Sequence, residues 1–183
     1  TKAQGYGSYD VYVDKSNLNM FELSEEPGTK IDVEGLLRMS AEEMVKDEPK
    51  MGAEEINFLE DLYRKQLYDA VNDAEENSDN PMDTSIELLK MYDSNQIDLQ
   101  TLGAAVLDIA QLDSNNSESA IRIAVGYLPP KGKGVRALLS LFRGAGFDGY
   151  YVGGVLSPMR EAVVFNIPKL NESIVNAVPR ERG

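Results

Sequence analysis

Hydrophobic and polar positions along the chain follow two rhythms. Tyr9 to Val13 sets aromatic and branched residues in an extended pattern, which predicts a strand. Residues 14–30 carry Asn17, Asn19, Pro27 and Gly28 and read as a loop anchored by Met20, Phe21 and Leu23, with a short strand or turn at 30–33. From 34 to 126 the period becomes helical. Ile56, Leu59, Leu62, Tyr63, Leu67, Ala70 and Val71 make one stripe over 53–75. A turn at 77–81 ends that helix, and shorter helices follow over 84–92, 99–112 and 118–125, the second of these carrying Leu99, Leu102, Ala105, Val106 and Ile109 on one face. Packing of these stripes is expected to bring Ile56, Leu59 and Leu62 against Leu102, Val106 and Ile109.

After Pro129 and Pro130 break the block, Val135, Leu138, Leu139 and Phe142 return at helical spacing, stopped by Gly144 and Gly146. Residues 147–152 are aromatic and β-branched and predict a strand. Gly153 and Gly154 turn or bulge the chain, and Glu161 opens a second apolar run through Phe165. Residues 170–178 read as a final short helix before a polar tail. The pattern is α+β: one domain over 1–183 whose sheet contains 9–13, 147–152 and 161–166, with a helical insertion at 36–126.

Composition narrows the chemistry. The chain has 183 residues, 18 basic against 31 acidic, for a net charge of −13. Such a surface repels phosphates and argues against broad nucleic-acid binding; the basic group Lys131, Lys133, Arg136 and Arg143 reads as a solvated helix start. The acidic helical block is the expected surface for a protein partner. With no cysteine and no histidine, thiol nucleophiles, Ser–His triads and imidazole ligands are absent from these residues, so acid–base work would rest on carboxylates, Tyr or Lys. No metal is expected: Asp113, Asn115, Asn116 and Glu118 lack the central glycine and distal glutamate of a calcium loop. Gly132-Lys133-Gly134 does not make a P-loop. No run of eighteen apolar residues and no leader pattern is present, which predicts no membrane span and a cytoplasmic or virion-associated protein. The first residue, Thr, is expected to mark a processed chain or a fragment.

Residues 144–152 (GAGFDGYYV), followed by 160–170 (REAVVFNIPKL), resemble the C-terminal end of the ADP-ribosyltransferase fold, most of all its phage and mobile-element (polyvalent-protein) toxin branch. There a helix ends in a G-[YF]-D-G turn, a strand follows, and E-[YA]-V-V-F-N-P closes the sheet. Residues 5–18 (GYGSYDVYVDKSNL) are similar to a strand and loop of the same branch. The resemblance covers both ends and leaves the helical middle as an addition.

What it implies is a transferase that takes ADP-ribose from NAD, its cosubstrate, with Glu161 as the catalytic carboxylate. Positive charge develops on the ribose as nicotinamide leaves, and a fixed carboxylate lowers that state most in a water-poor cleft. Tyr150 and Tyr151 would line the nicotinamide face; strand packing is the alternative for both, and an exposed strand-end acid is the alternative for Glu161. Two departures stand out. The histidine that pins NAD in one branch of the family has no counterpart, and Met159 stands where arginine-directed enzymes carry Glu or Gln. The strands that grip NAD upstream of the 9–13 strand also have no counterpart, so this chain by itself is expected to show no robust transfer. Two non-enzymatic classes remain beside this one: a phage structural or virion-packaged interaction protein using the acidic block, and a nucleic-acid mimic resting on the net charge alone.

Overall fold

The structure, a computed structural model, describes residues 9–153 and 161–179. Met159 and Arg160 lie outside them, as do residues 5–8 of the N-terminal stretch.

Nearly every helix starts where the sequence supplies an acceptor for backbone N–H groups that have no intrahelical partner. Asp32 caps α1 (Val33–Val45), accepting from Gly35 N at 2.9 Å. Ahead of α2 (Ala53–Glu76), the Glu55 carboxylate accepts from Gly52 N at 2.7 Å. Asn80 accepts from Asp83 N at 2.9 Å at the head of α3 (Pro81–Asp93), whose Pro81 needs no donor partner there. Asp98 and Asn116 do the same for α4 (Leu99–Ala110) and α5 (Ser117–Tyr127), each at 2.7 Å. α6 (Lys131–Gly144) has no side-chain cap; it is followed by Gly146 at φ 91°, a left-handed conformation that glycine takes without strain. The 30–33 stretch, expected as strand or turn, instead leads into α1, because Asp32 followed by Val33, Leu36 and Leu37 sets up a capped apolar helix face.

α4 is the axis of the helical block. Nine of its 12 residues are buried, Leu102 and Leu107 completely. Gly103 sits where a Cβ would run into the Ala137 carbonyl, so α4 and α6 approach at backbone distance. Leu102, Val106 and Ile109 are buried, but the first turns of α2 do not supply the facing stripe that the sequence predicts. Leu62 is 38% exposed, and the residues that α2 buries are Leu67, Ala70, Val71 and Ala74. The N-terminal half of α2 is held chiefly by α1, through the Arg38–Glu60 pair at 2.6 Å and the Arg38 bond to Asn57.

The strands form two sheets where the sequence pattern predicts one. β1 (Tyr9–Val13) pairs antiparallel with β5 (Ile174–Pro179) in a two-stranded ribbon. A second sheet has the order β2–β3–β4, with β2 (Met20–Glu22) parallel to β3 (Gly149–Val152) and β3 antiparallel to β4 (Glu161–Val164). Residues 9–13 are therefore not partners of 149–152 and 161–164. The helix expected at 170–178 is α7 (Ile167–Glu172), and the β-branched Ile174 and Val175 then begin a strand. β2 lies within what the pattern reads as loop; three residues are too few for an alternation to register.

α1 to α6 all fall between β2 and β3, which are neighbours, so the chain leaves the sheet at Glu22 and rejoins it at the adjacent strand. One buried cluster joins the two parts, from Leu23 and Ile31 through α4 and α6 to Phe165. At the junction Phe21 packs on Phe142 with ring centroids 5.1 Å apart and meets Phe147 edge-on at 5.2 Å.

Candidate functional site

The β3–β4 ladder fixes which side chains share a face. Its rungs are Gly149 with Val164, Tyr150 with Val163, Tyr151 with Ala162 and Val152 with Glu161. Side chains alternate along a strand and match across a rung. Tyr150, Val152, Glu161 and Val163 therefore occupy the face turned to the helices, and Tyr151, Ala162 and Val164 occupy the other.

Tyr150 packs on Phe142 with ring centroids 6.0 Å apart, and burial pushes its phenol pKa up. Glu161 is exposed at the head of β4, one diagonal step from Tyr150 on the same face. Tyr151 looks the other way, into a cleft of about 650 Å³ between the ribbon and the sheet, walled by Val11, Tyr12, Met20, Val164 and Leu170, with Lys15 among the residues around it. The three expected site residues thus divide. Tyr150 and Glu161 share a face, whereas Tyr151 belongs to the apolar cleft behind them. One nicotinamide ring cannot stack on Tyr151 from the face that carries Glu161.

At the opposite end of the ladder a buried carboxylate gathers distant segments. Asp148 is only 4% exposed. It accepts from Asn19 N, Asn166 Nδ2 and Lys169 Nζ, each at 2.7 Å. Its own backbone carbonyl accepts from Phe165 N at 2.9 Å and Asn166 N at 3.1 Å, and its N–H donates to the Asn19 carbonyl at 2.7 Å. Burial raises the carboxyl pKa, but the bonds from Lys169, Asn19 and Asn166 outweigh it and leave the pKa below the usual carboxylate range. Nearby, Arg143 lies over the Phe165 ring, 5.3 Å from its centroid, and donates to the Phe165 carbonyl at 3.2 Å. These groups and Lys46 border a polar cleft of about 630 Å³. Asn17 adds a bond from Nδ2 to Ser173 Oγ at 2.7 Å, tying the loop after β1 to the end of α7.

Sequence reasoning quoted the residues around Asp148 without finding this cluster. Its partners stand 129, 18 and 21 residues away, and no local periodicity encodes such a meeting. The one available signal was an aspartate flanked by glycine and aromatic residues, a poor place for an acid unless something pairs it.

On the helical side, Asp108 is a partly buried acid, its pKa raised by burial and further by Glu34 and Glu75. Among the described residues no group of three or more His, Cys, Asp or Glu side chains is placed to hold a metal ion, and no helix is long and apolar enough to cross a membrane.

Fold and site together define an α+β protein in which a six-helix segment separates two neighbouring strands of a small sheet, the segments being joined by a buried Asp148 clamp. Comparison with family models, with curated proteins and with solved structures finds no match for the chain.

Proposed function

We propose that this chain is an ADP-ribosyltransferase-like domain of phage origin that uses NAD, with Glu161 as the carboxylate facing the ribose and an acidic helical block that binds a protein partner. What supports the reading most is the meeting at Asp148. Asp148, in the G-F-D-G turn, holds Asn166 and Lys169 of the F-N-I-P-K-L segment and the backbone of Asn19, the residue directly after the N-terminal stretch. Glu161 opens the strand that this clamp anchors at its far end. Tyr150 shares its face, so Tyr150 rather than Tyr151 is the aromatic neighbour of the reacting ribose.

The role of Glu161 is electrostatic. As the glycosidic bond lengthens, positive charge spreads over the ribose, and a carboxylate held beside it lowers the energy of that state more than of bound NAD. Glu161→Gln keeps shape and hydrogen bonding and removes the charge. The expected outcome is unchanged NAD binding by calorimetry and a loss of about ten- to a thousandfold in transfer of labelled ADP-ribose, read in a protein that carries this chain with its NAD-gripping strands. Equal transfer by the variant, or no contact between NAD and the Glu161 face in amide chemical-shift mapping, removes the reading.

A second reading, a non-catalytic phage structural or virion-packaged interaction protein, draws on the exposure of Glu161 and of the apolar outer face of α2.

A further inference from the structure

α2 has two faces, and only one is used by the fold. Leu67, Ala70, Val71 and Ala74 point to the core. At about 100° per residue, Glu55, Phe58, Leu62, Lys65 and Asp69 form a stripe on the far side. Phe58 is 68% exposed, Leu62 38%, and Met51, just before the helix, 49%. Met51, Glu54, Glu55, Phe58 and Leu59 shape a shallow apolar groove of about 470 Å³ along that side. A single exposed ring is ordinary, but here Met51, Phe58 and Leu59 line one groove and Leu62 stands a turn further along, so the apolar groups are contiguous.

We propose that this face joins two copies of the chain, with their α2 helices antiparallel about a two-fold axis level with residue 60. Such a contact is isologous, so positions equidistant from residue 60 face each other. Phe58 then meets Leu62 of the second copy, seated at its groove, and Glu55 meets Lys65, each pair occurring twice. Charges on the stripe favour this register over two others. Moving the axis level with residue 62 sets Glu55 against Asp69, and a parallel pairing sets Glu55 on Glu55 and Lys65 on Lys65. Like charges face each other in both alternatives.

The paired groups are free to meet. Gly52 N takes only Oε2 of Glu55, which leaves Oε1 for the incoming ammonium. Lys65 holds Asp69 at 2.8 Å, but its side chain is 73% exposed and keeps donors toward solvent. Within the helix, the contact from residue 53 to residue 69 spans about 24 Å. A single helix pair of that length falls below the ~1,200 Å² of a standard interface, so association is expected to be weak. The net charge of −13 opposes approach, and about 0.15 M salt, with a screening length of about 8 Å, suppresses that repulsion while leaving contact pairs. This inference concerns the helical block and does not depend on the NAD reading.

Sedimentation equilibrium of the whole chain over about 5–500 µM, at about 0.15 M salt, tests it. The expected result is a monomer–dimer equilibrium that Phe58→Asp weakens at least tenfold, with circular dichroism unchanged because Phe58 contributes little to the core. Charge exchange tests the register. Glu55→Lys and Lys65→Glu chains should each self-associate less than the parent, and an equimolar mixture of the two should dimerise again, since each pair is then opposite in sign. A monomer at every concentration, or a dimer indifferent to Phe58→Asp, overturns the interface; a dimer indifferent to both charge changes overturns the antiparallel register.

Discussion

The Asp148 carboxylate accepts three hydrogen bonds, and its environment sets a pH dependence. Its folded pKa lies below the unfolded one, because Lys169, Asn19 and Asn166 more than offset burial. A lowered carboxylate pKa contributes stability that is fully present above the unfolded value, near 4, and is lost as pH falls through the folded value. The wild-type chain should therefore lose stability as pH falls below about 4. Asp148→Asn removes that titration and leaves the Lys169 ammonium without its counter-charge. At neutral pH the variant is expected to be less stable by about 1–3 kcal/mol, with the difference shrinking on acidification. Thermal melts at several pH values measure both; an unchanged gap across that window would mean that the carboxylate is not the titrating group. The same residue orders two loops, so its loss should also loosen residues 19 and 166 in amide exchange.

Elements differ in how much of their pattern the fold uses. α4 is surrounded by α2, α3, α5 and α6, and its small residues let backbones approach, as at Gly103. Removing a side chain there leaves a cavity that rigid neighbours cannot close. Leu102→Ala should cost about 2–5 kcal/mol. Leu62→Ala, on the outer side of α2, should change stability by no more than about 0.5 kcal/mol. Urea titration of the two variants separates these cases, and comparable losses would mean that the first turns of α2 are covered in solution. The two changes share the residue type and the helical period; only the neighbours differ.

At the scale of the molecule, stability is uneven. The helical block and the three-stranded sheet share one buried cluster. The β1–β5 ribbon contributes nothing to it: four of the five residues of β1 and all six of β5 are exposed. A two-stranded ribbon with both faces wet is marginal in water. Amides of 9–13 and 174–179 should therefore exchange faster than those of 102–109, which open only with the whole fold; equal protection in the two regions would contradict this. The ribbon also walls the apolar cleft that holds Tyr151, so the shape of that cleft depends on strands outside the buried cluster. Glu161 stands on the other face of the sheet, on β4, which pairs with β3 and not with the ribbon.

The sequence by itself determined α2 to α6 and their approximate limits, though not α1 or the end of α7, because periodic apolar residues, Pro81 and the terminating glycines act within a few residues of one another. It also determined the β3 and β4 strands and the shared face of Glu161 and Val163, since alternation is local. Only the tertiary structure decided that 9–13 pairs with 174–179, that Met20–Glu22 is a strand between loops, that Leu62 lies outside the core, and that Tyr150 and Tyr151 serve different faces. Each of these depends on a partner more than twenty residues away or on which side of a helix another element covers. The Asp148 clamp belongs to the same group: its residue types are visible in the chain, but its meaning comes from Asn19, Asn166 and Lys169 arriving together, and pairing across such distances leaves no periodic trace in the sequence.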